Sequence, residues 1–457
     1  MPYSNYNRSK NFSAKYGRIA AVLAVGMTLA QGSPAAAQDK SQTLFVNVNV
    51  FDGRNSQLQR GVNVLVDGGK IAAIEQGTLS APPGATVING AGRTLMPGLI
   101  DNHVHIFMSA STEQQLLLPQ STPEVLNARA AQAAKEMLLR GFTSVRDMGG
   151  PVFALKRSID SGTSIGPRIY ASGAMVSQTS GHGDSRLPNE RSRRWGGQVS
   201  RGELLGVGFI ADGRDEVLTA TRENLRAGAS QIKVMAGGGA ASAYDPLDVA
   251  QYTLDELKAA VDAASDWNTY VTVHAYTPVA VRRAVEAGVK CIEHGQLLDE
   301  PTLKLLGEKG IWLSLQALDE APATAKPDVR EKKHTVVEGT DNAFKWAKKY
   351  AVKLAWGTDF LFNPAQNKNQ NSDILKLKAW FAPAEVLKLV THDNAQLLAL
   401  SGPRNPYSGK LGVVEVGAHA DLLLVNGDPT TNLDLVADPD KNFKVIMKGG
   451  RIFKNAP

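Results

Sequence analysis

Disulfides are excluded at the outset. The 457-residue sequence holds one cysteine, Cys291, and an intramolecular bridge needs two. Long apolar runs are lacking as well. The run at 19–30, "IAAVLAVGMTLA", is too short to cross a bilayer as a helix, and no later run is long and apolar enough. A lasting excess of charge is also missing. Four of the net six positive charges, Arg8, Lys10, Lys15 and Arg18, lie before residue 38 in a stretch with no acid, leaving +2 for residues 38–457. A basic segment, a short apolar run and the small-residue stretch "QGSPAAAQ" (31–38) have the form of an export signal, with cleavage expected after Ala37. The expected location is therefore the periplasm or the outside of the cell. The basic balance belongs to targeting and gives no case for nucleic acid as a partner. Without a bridge, an exported chain must draw stability from a large core, from metal or from assembly.

What is present falls into three regions after the signal. Residues 38–97 read as short strands, with clear alternation in "TLFVNVNVFDG" and a hairpin signal at Asp67-Gly68-Gly69. Residues 408–457 repeat that character in "ADLLLVNGDP" and "VIMKGGRIF". Two β-rich ends around a long middle predict one small β-sandwich built from both. The middle, 98–407, alternates short apolar runs with helical patterns. The runs fall at 99–105, 144–149, 168–176, 231–236, 270–276, 291–295, 312–316 and 354–359. Helical patterns such as 122–141, 253–268 and 277–289 separate most of them. Eight strands alternating with helices predict an α/β fold, a (β/α)8 TIM barrel. A doubly wound open sheet is the alternative. Two irregular stretches, 177–213 and 360–372, follow strands and are expected to border the mouth of the barrel.

The eight histidines are not scattered at random over this pattern. "GLIDNHVHIF" (98–107) carries His103 and His105 at the end of the first barrel strand. Alternation turns both to one face. Lys233 lies in the fourth strand, His274 near the end of the fifth, His294 near the end of the sixth and Asp359 at the end of the eighth. Barrel enzymes place their chemistry at such strand ends. Imidazole and carboxylate suit Zn2+ or a similar borderline ion. An ammonium repels metal, so Lys233 fits only when deprotonated or converted to an anion. Carbamylation by CO2 yields two oxygens able to bridge two ions about 3.5–4 Å apart.

With that ligand series in place, the chain resembles the amidohydrolase superfamily, in its class with two metals and a carboxylated lysine. The resemblance implies that His103, His105 and Asp359 hold one divalent ion, and His274 and His294 a second. A carbamate on Lys233 and a hydroxide would bridge them. Asp359 would take the proton during attack and pass it to the leaving amine. Tyr276 shares the face of His274 and is a candidate donor to the oxyanion, or else a tyrosine packed at the rim. His182, in "SGHGDSR" (180–186), is a candidate substrate contact, with a core role as its alternative. These two features are most similar to the subgroup of Xaa-Pro dipeptidases, carboxypeptidases and ochratoxin-hydrolysing enzymes. Relatives there imply a homo-oligomer, an octamer, and an amide or dipeptide substrate with a free carboxylate, ochratoxin A among them. Hydrolysis of a cyclic amide or lactone, or deamination, are the alternatives.

Secondary candidates carry bland readings. Arg186, Arg191, Arg193 and Arg194 could clamp a carboxylate but suit a solvated loop better. Cys291 reads as a buried structural thiol. "AGGGA" (236–240) lacks the Gly-Lys-Ser/Thr of a phosphate loop and is expected to let the backbone pass close to the site.

Overall fold

The computed structural model describes residues 42–118, 120–242 and 244–456; the expected export signal lies outside them. Strands β1 (Gln42–Val50), β2 (Gln59–Asp67), β3 (Lys70–Gln76), β4 (Thr86–Asn89) and β5 (Thr94–Pro97) open the fold. The barrel strands follow: β6 (Leu99–Val104), β7 (Phe142–Asp147), β8 (Arg168–Ala171), β9 (Met175–Ser177), β10 (Gly208–Ile210), β11 (Ile232–Met235), β12 (Val271–Ala275), β13 (Cys291–His294), β14 (Trp312–Leu315) and β15 (Lys353–Trp356). Strands β16 (Leu422–Val425), β17 (Phe443–Lys448) and β18 (Arg451–Asn455) close it.

Both chain ends meet in one mixed sheet, in the order β18-β17-β16-β5-β1-β2-β3 with β4 beside β1. This is the separate β domain expected from both ends, and β3 is tied to the segment before β16. Ile71 N–H donates to Ala418 O (3.0 Å) and Gly417 N–H to Ile71 O (2.8 Å). The core of this domain includes Phe45, Val48, Val64, Leu95, Leu422 and Val445, all buried. Burial of such side chains contributes roughly 1.5–3 kcal/mol each.

Parallel strands dominate the middle, with helices between them. Thr122 caps Pro123–Leu139, Thr253 and Glu256 form a capping box on Leu254–Asp266, and Gly228, Gly288 and Gly310 end helices in left-handed geometry. The run at 168–176 proves to be two strands. Gly173 turns the chain at φ +77°, and Asn224 braces the kink through Ala174 N–H (2.9 Å) and Ala174 O (2.8 Å). Strand β10 adds an edge beside β9 that sequence periodicity did not reveal.

Side chains and one backbone bond close the two seams of the barrel. Between β8 and β11, Ser230 N–H donates to Ala171 O (2.8 Å) and Gln231 to Tyr170 O (2.9 Å). Between β6 and β15, buried Asn394 acts as a bracket. Its amide donates to Ile100 O (2.7 Å) and Trp356 O (2.9 Å), and its oxygen accepts Trp356 N–H (2.9 Å). Asn394→Ala leaves those buried groups unmatched, each at about 1–3 kcal/mol. A lowered thermal midpoint in calorimetry is the expected outcome, and an unchanged midpoint would refute the bracket.

Candidate metal centre and active site

The barrel strands and the segments that follow them bring the six expected ligands into one cluster. His103 sits in β6 and His105 one residue past it, where the chain turns into Ile106–Ser109. Lys233 lies in β11, His274 in β12 and His294 at the last position of β13. Asp359 is displaced from its expected place. Strand β15 ends at Trp356, and the carboxylate follows three residues later on an irregular segment. There, Asp359 N–H donates to His103 O (2.8 Å), so the segment is stitched to β6. Gly357 permits that approach, because a Cβ at this position would collide with the His103 backbone. Asp359 and His294 both adopt left-handed φ, +55° and +78°. Such strain in non-glycine residues persists where the surroundings enforce it, and it clusters at functional sites.

The donor atoms converge closely. His103 Nε2 and His105 Nε2 each lie 3.3 Å from Asp359 Oδ1, and His294 Nδ1 lies 3.9 Å from Oδ2. Lys233 Nζ is 3.4 Å from His103 Nε2. Donor atoms about 3.3 Å apart are what tetrahedral bonds of about 2.0–2.1 Å subtend. His103, His294 and Asp359 together offer ligand atoms within 4.8 Å of one another. The residues present therefore fit a divalent ion.

Each imidazole has a hydrogen-bond partner, which for His103 and His105 sits on the nitrogen turned away from Asp359. His103 Nδ1 meets Glu293 Oε2 (2.9 Å), His105 Nδ1 donates to Gly149 O (3.3 Å), and His294 Nδ1 meets Gln316 Oε1 (2.8 Å). His274 Nε2 donates to Gly238 O (2.9 Å), which leaves Nδ1 with the lone pair. Such partners fix the tautomer and the ring orientation of a metal-binding histidine. Burial also strips these rings of protons. It carries His103 down to about 4, aided by the Lys233 charge, and His294 down to about 3. His274 falls well below the usual range, again through burial first and neighbouring histidines second. Burial opposes the charge of Asp359, yet the surrounding imidazoles outweigh it and hold the carboxyl far below its ordinary range. Neutral imidazoles and an ionised carboxylate are the forms that bind metal. Lys233, 1% exposed, is also pushed down by burial, against the pull of Glu293 and Asp359.

Sequence reasoning missed a polar plug beneath this cluster. Glu293 is fully buried and joins His103 to Arg146, whose guanidinium donates to Glu293 Oε1 (2.7 Å) and Asn102 O (2.7 Å). Thr272 Oγ1 and Cys291 Sγ complete the carboxylate's partners. Burial raises the Cys291 thiol to about 12, as suits a structural role. On the other side of His103, Asp101 accepts its backbone N–H (3.1 Å) as well as Thr358 Oγ1–H (2.8 Å).

His182 and Tyr276 also reach the cluster. The His182 ring stacks on His274 at 4.0 Å with an interplanar angle of 17°, and Tyr276 stacks on His294 at 5.2 Å. Burial raises the Tyr276 phenol, keeping it a protonated donor. "AGGGA" supplies the space. A Cβ on Gly239 would fall inside the His182 ring, and one on Gly238 would strike Pro246 O. The two irregular stretches have different fates. The first carries His182 to the site, whereas Arg186 pairs with Asp184, Arg193 with Glu203 and Arg194 with Glu216. The stretch 360–372 braces β6, with Gln370 Nε2–H donating to Asp101 Oδ2 (3.0 Å) and Asn367 Nδ2–H to Ser109 O (3.1 Å).

The sequence matches the amidohydrolase family over residues 94–453. The chain belongs to that family. It is 33% identical over 371 residues to ochratoxinase of Aspergillus niger, covering 79% of this chain and 75% of that one. Two solved structures share its fold closely. A prolidase complexed with N-methylphosphonate-L-proline is 32% identical with TM-score 0.83, over 91% of this chain and all (100%) of that one. A Xaa-Pro dipeptidase with methionine bound in its active site is 28% identical with TM-score 0.77, over 91% and 100%. This amidohydrolase is thus an enzyme that hydrolyses amide bonds, built as a TIM barrel with a separate β domain.

Proposed function

We propose that the protein is a two-metal hydrolase of the amide bond that joins an acyl group to a C-terminal amino acid. The observation that carries this reading is the convergence of His103, His105, Lys233, His274, His294 and Asp359, each histidine held in one tautomer. His103, His105 and Asp359 would hold one ion and His274 and His294 the other, with Lys233 as a carbamate between them. Divalent ions in such a set, zinc by donor chemistry, supply Lewis acidity for water and for the scissile carbonyl. The chain's own groups do the rest. The Asp359 carboxylate, ionised and the most open of the set at 16% exposed, takes a proton from the attacking water and returns it to the leaving nitrogen. Tyr276 O–H donates to the carbonyl oxygen as charge develops there. His182, with Nδ1 engaged by Ser242 (2.9 Å) and Asp245 (3.2 Å), keeps Nε2 for the substrate.

An ochratoxinase and two proline-directed peptidases among the relatives support a substrate ending in a free carboxylate. N-acyl amino acids and dipeptides, with ochratoxin A among the bulky aromatic cases, are the substrates to test. We expect about two ions per chain by metal analysis. Chelation should abolish turnover, and zinc should restore it. Hydrolysis should fail on analogues whose carboxylate is amidated. Equal turnover of acid and amide, or a preference for hydantoins and lactones, would overturn the substrate class.

A further inference from the structure

Lys332 lies on the helix Pro327–Lys349, away from the metal ligands in sequence. Its ammonium donates to three main-chain carbonyls of one loop: Gly239 (3.4 Å), Ser242 (3.1 Å) and Asp245 (2.8 Å). Three acceptors match the three donors of an ammonium. The acceptors are backbone carbonyls, so the contact fixes the path of the loop, and the Lys332 charge also favours the ionised Asp245 carboxylate. That same loop builds the seat of His182. Asp245, 2% exposed, and Ser242 both engage His182 Nδ1, and Gly239 leaves room for the ring. From the far side Gln251 accepts His182 N–H (2.9 Å) and reaches Asp245 with its own amide (3.5 Å). The loop is also the one whose Gly238 O orients His274.

We propose that Lys332 and Asp245 are positioning residues, which hold His182 stacked over His274 by tethering Gly239, Ser242 and Asp245 to the helix Pro327–Lys349. The inference rests on the proposed substrate role of His182. It adds that the placement of this imidazole is set by a helix that supplies no ligand and touches no reacting group.

The test compares Lys332→Met, Lys332→Arg and Asp245→Asn, with Lys332→Met also made in a His182→Gln background. Lys332→Met should lower kcat/KM for an N-acyl amino acid on the order of tenfold, as small misplacement of a substrate contact does, with metal content unchanged. Asp245→Asn should act in the same direction. Lys332→Arg, which keeps the cation and its donors, should restore most of the loss. In the His182→Gln background, Lys332→Met should change the rate by less than about twofold, because coupled residues are not additive. Hydrogen exchange in Lys332→Met should quicken across 238–245 and 179–184. A full effect of Lys332→Met without His182, or unchanged exchange in these segments, would overturn the proposal. If the wild-type enzyme hydrolyses neither N-acyl amino acids nor dipeptides, the substrate reading falls, and the exchange measurement still decides the tether.

Discussion

Lys233→Ala is expected to lower kcat/KM by on the order of 10³-fold or more, about 4 kcal/mol of transition-state stabilisation, and to be partly rescued by acetate or propionate. Lys233 is buried at 1% exposure with its Nζ 3.4 Å from His103 Nε2, the nitrogen that faces Asp359. An ammonium at that position would repel any cation the histidines hold. Reaction of the neutral amine with CO2 forms a C–N bond, releases one proton and leaves an anionic carbamate with two donor oxygens. The same environment then favours binding instead of opposing it. On the proposed carbamate, removing the side chain would remove the bridge and leave a void that a short carboxylic acid can enter, which is the reason for expecting rescue. Metal analysis should fall below two ions per chain in the variant and recover with the added acid. Full activity of Lys233→Ala, or a wild-type enzyme active with one ion per chain, would refute the bridging lysine.

Much of this candidate centre was legible in the sequence because several of its proposed ligands sit on strands. His103 on β6, Lys233 on β11 and His274 on β12 follow the period-2 rule that turns alternate side chains inward. The barrel itself was legible for the same reason, through short apolar runs separated by capped helices. The two ligands that depart from regular geometry are the instructive ones. In β13, alternation sends Cys291 and Glu293 to one face and His294 to the other. The left-handed φ of His294 swings its ring back to the site, so both neighbours point inward. Asp359 likewise reaches the cluster from an irregular segment beyond β15. Periodicity located both residues but carries no information about a positive φ.

What stayed illegible is held together by contacts between residues far apart in the chain. Glu293 stands beside a ligand in "CIEHG" and reads as an ordinary strand residue until Arg146 is brought against it from β7. Asn394 and Lys332 lie in helical stretches and have no strand signal at all. The arginines of 177–213 had chemistry suited to a carboxylate, yet the acids nearest to hand, Asp184, Glu203 and Glu216, engage three of them. Residue type alone cannot separate a free guanidinium from one already paired within its own loop.

Glu293→Gln is expected to be the most damaging change to stability that leaves every proposed ligand in place. Glu293 and Arg146 are both fully buried and paired at 2.7 Å. Removing one charge of such a pair strands the other, at about 3–5 kcal/mol. Burial alone would raise the Glu293 carboxyl, but Arg146 and His103 hold it well below its ordinary 4.5. The pair's contribution is therefore complete above about pH 4.5 and is lost as pH falls through the depressed folded value. The stability gap between wild type and Glu293→Gln, measured by urea unfolding, should accordingly be largest near neutrality and narrow below pH 4.5. A second variant separates scaffold from site. Arg146→Met combined with Glu293→Gln removes the stranded charge and should recover much of the stability. It does not restore the carboxylate behind His103, so metal affinity, read by competition with a chelator, should stay roughly 10–100-fold weak. Recovery of both quantities together would mean that the plug supports the barrel alone; recovery of stability without affinity assigns Glu293 to the orientation of His103.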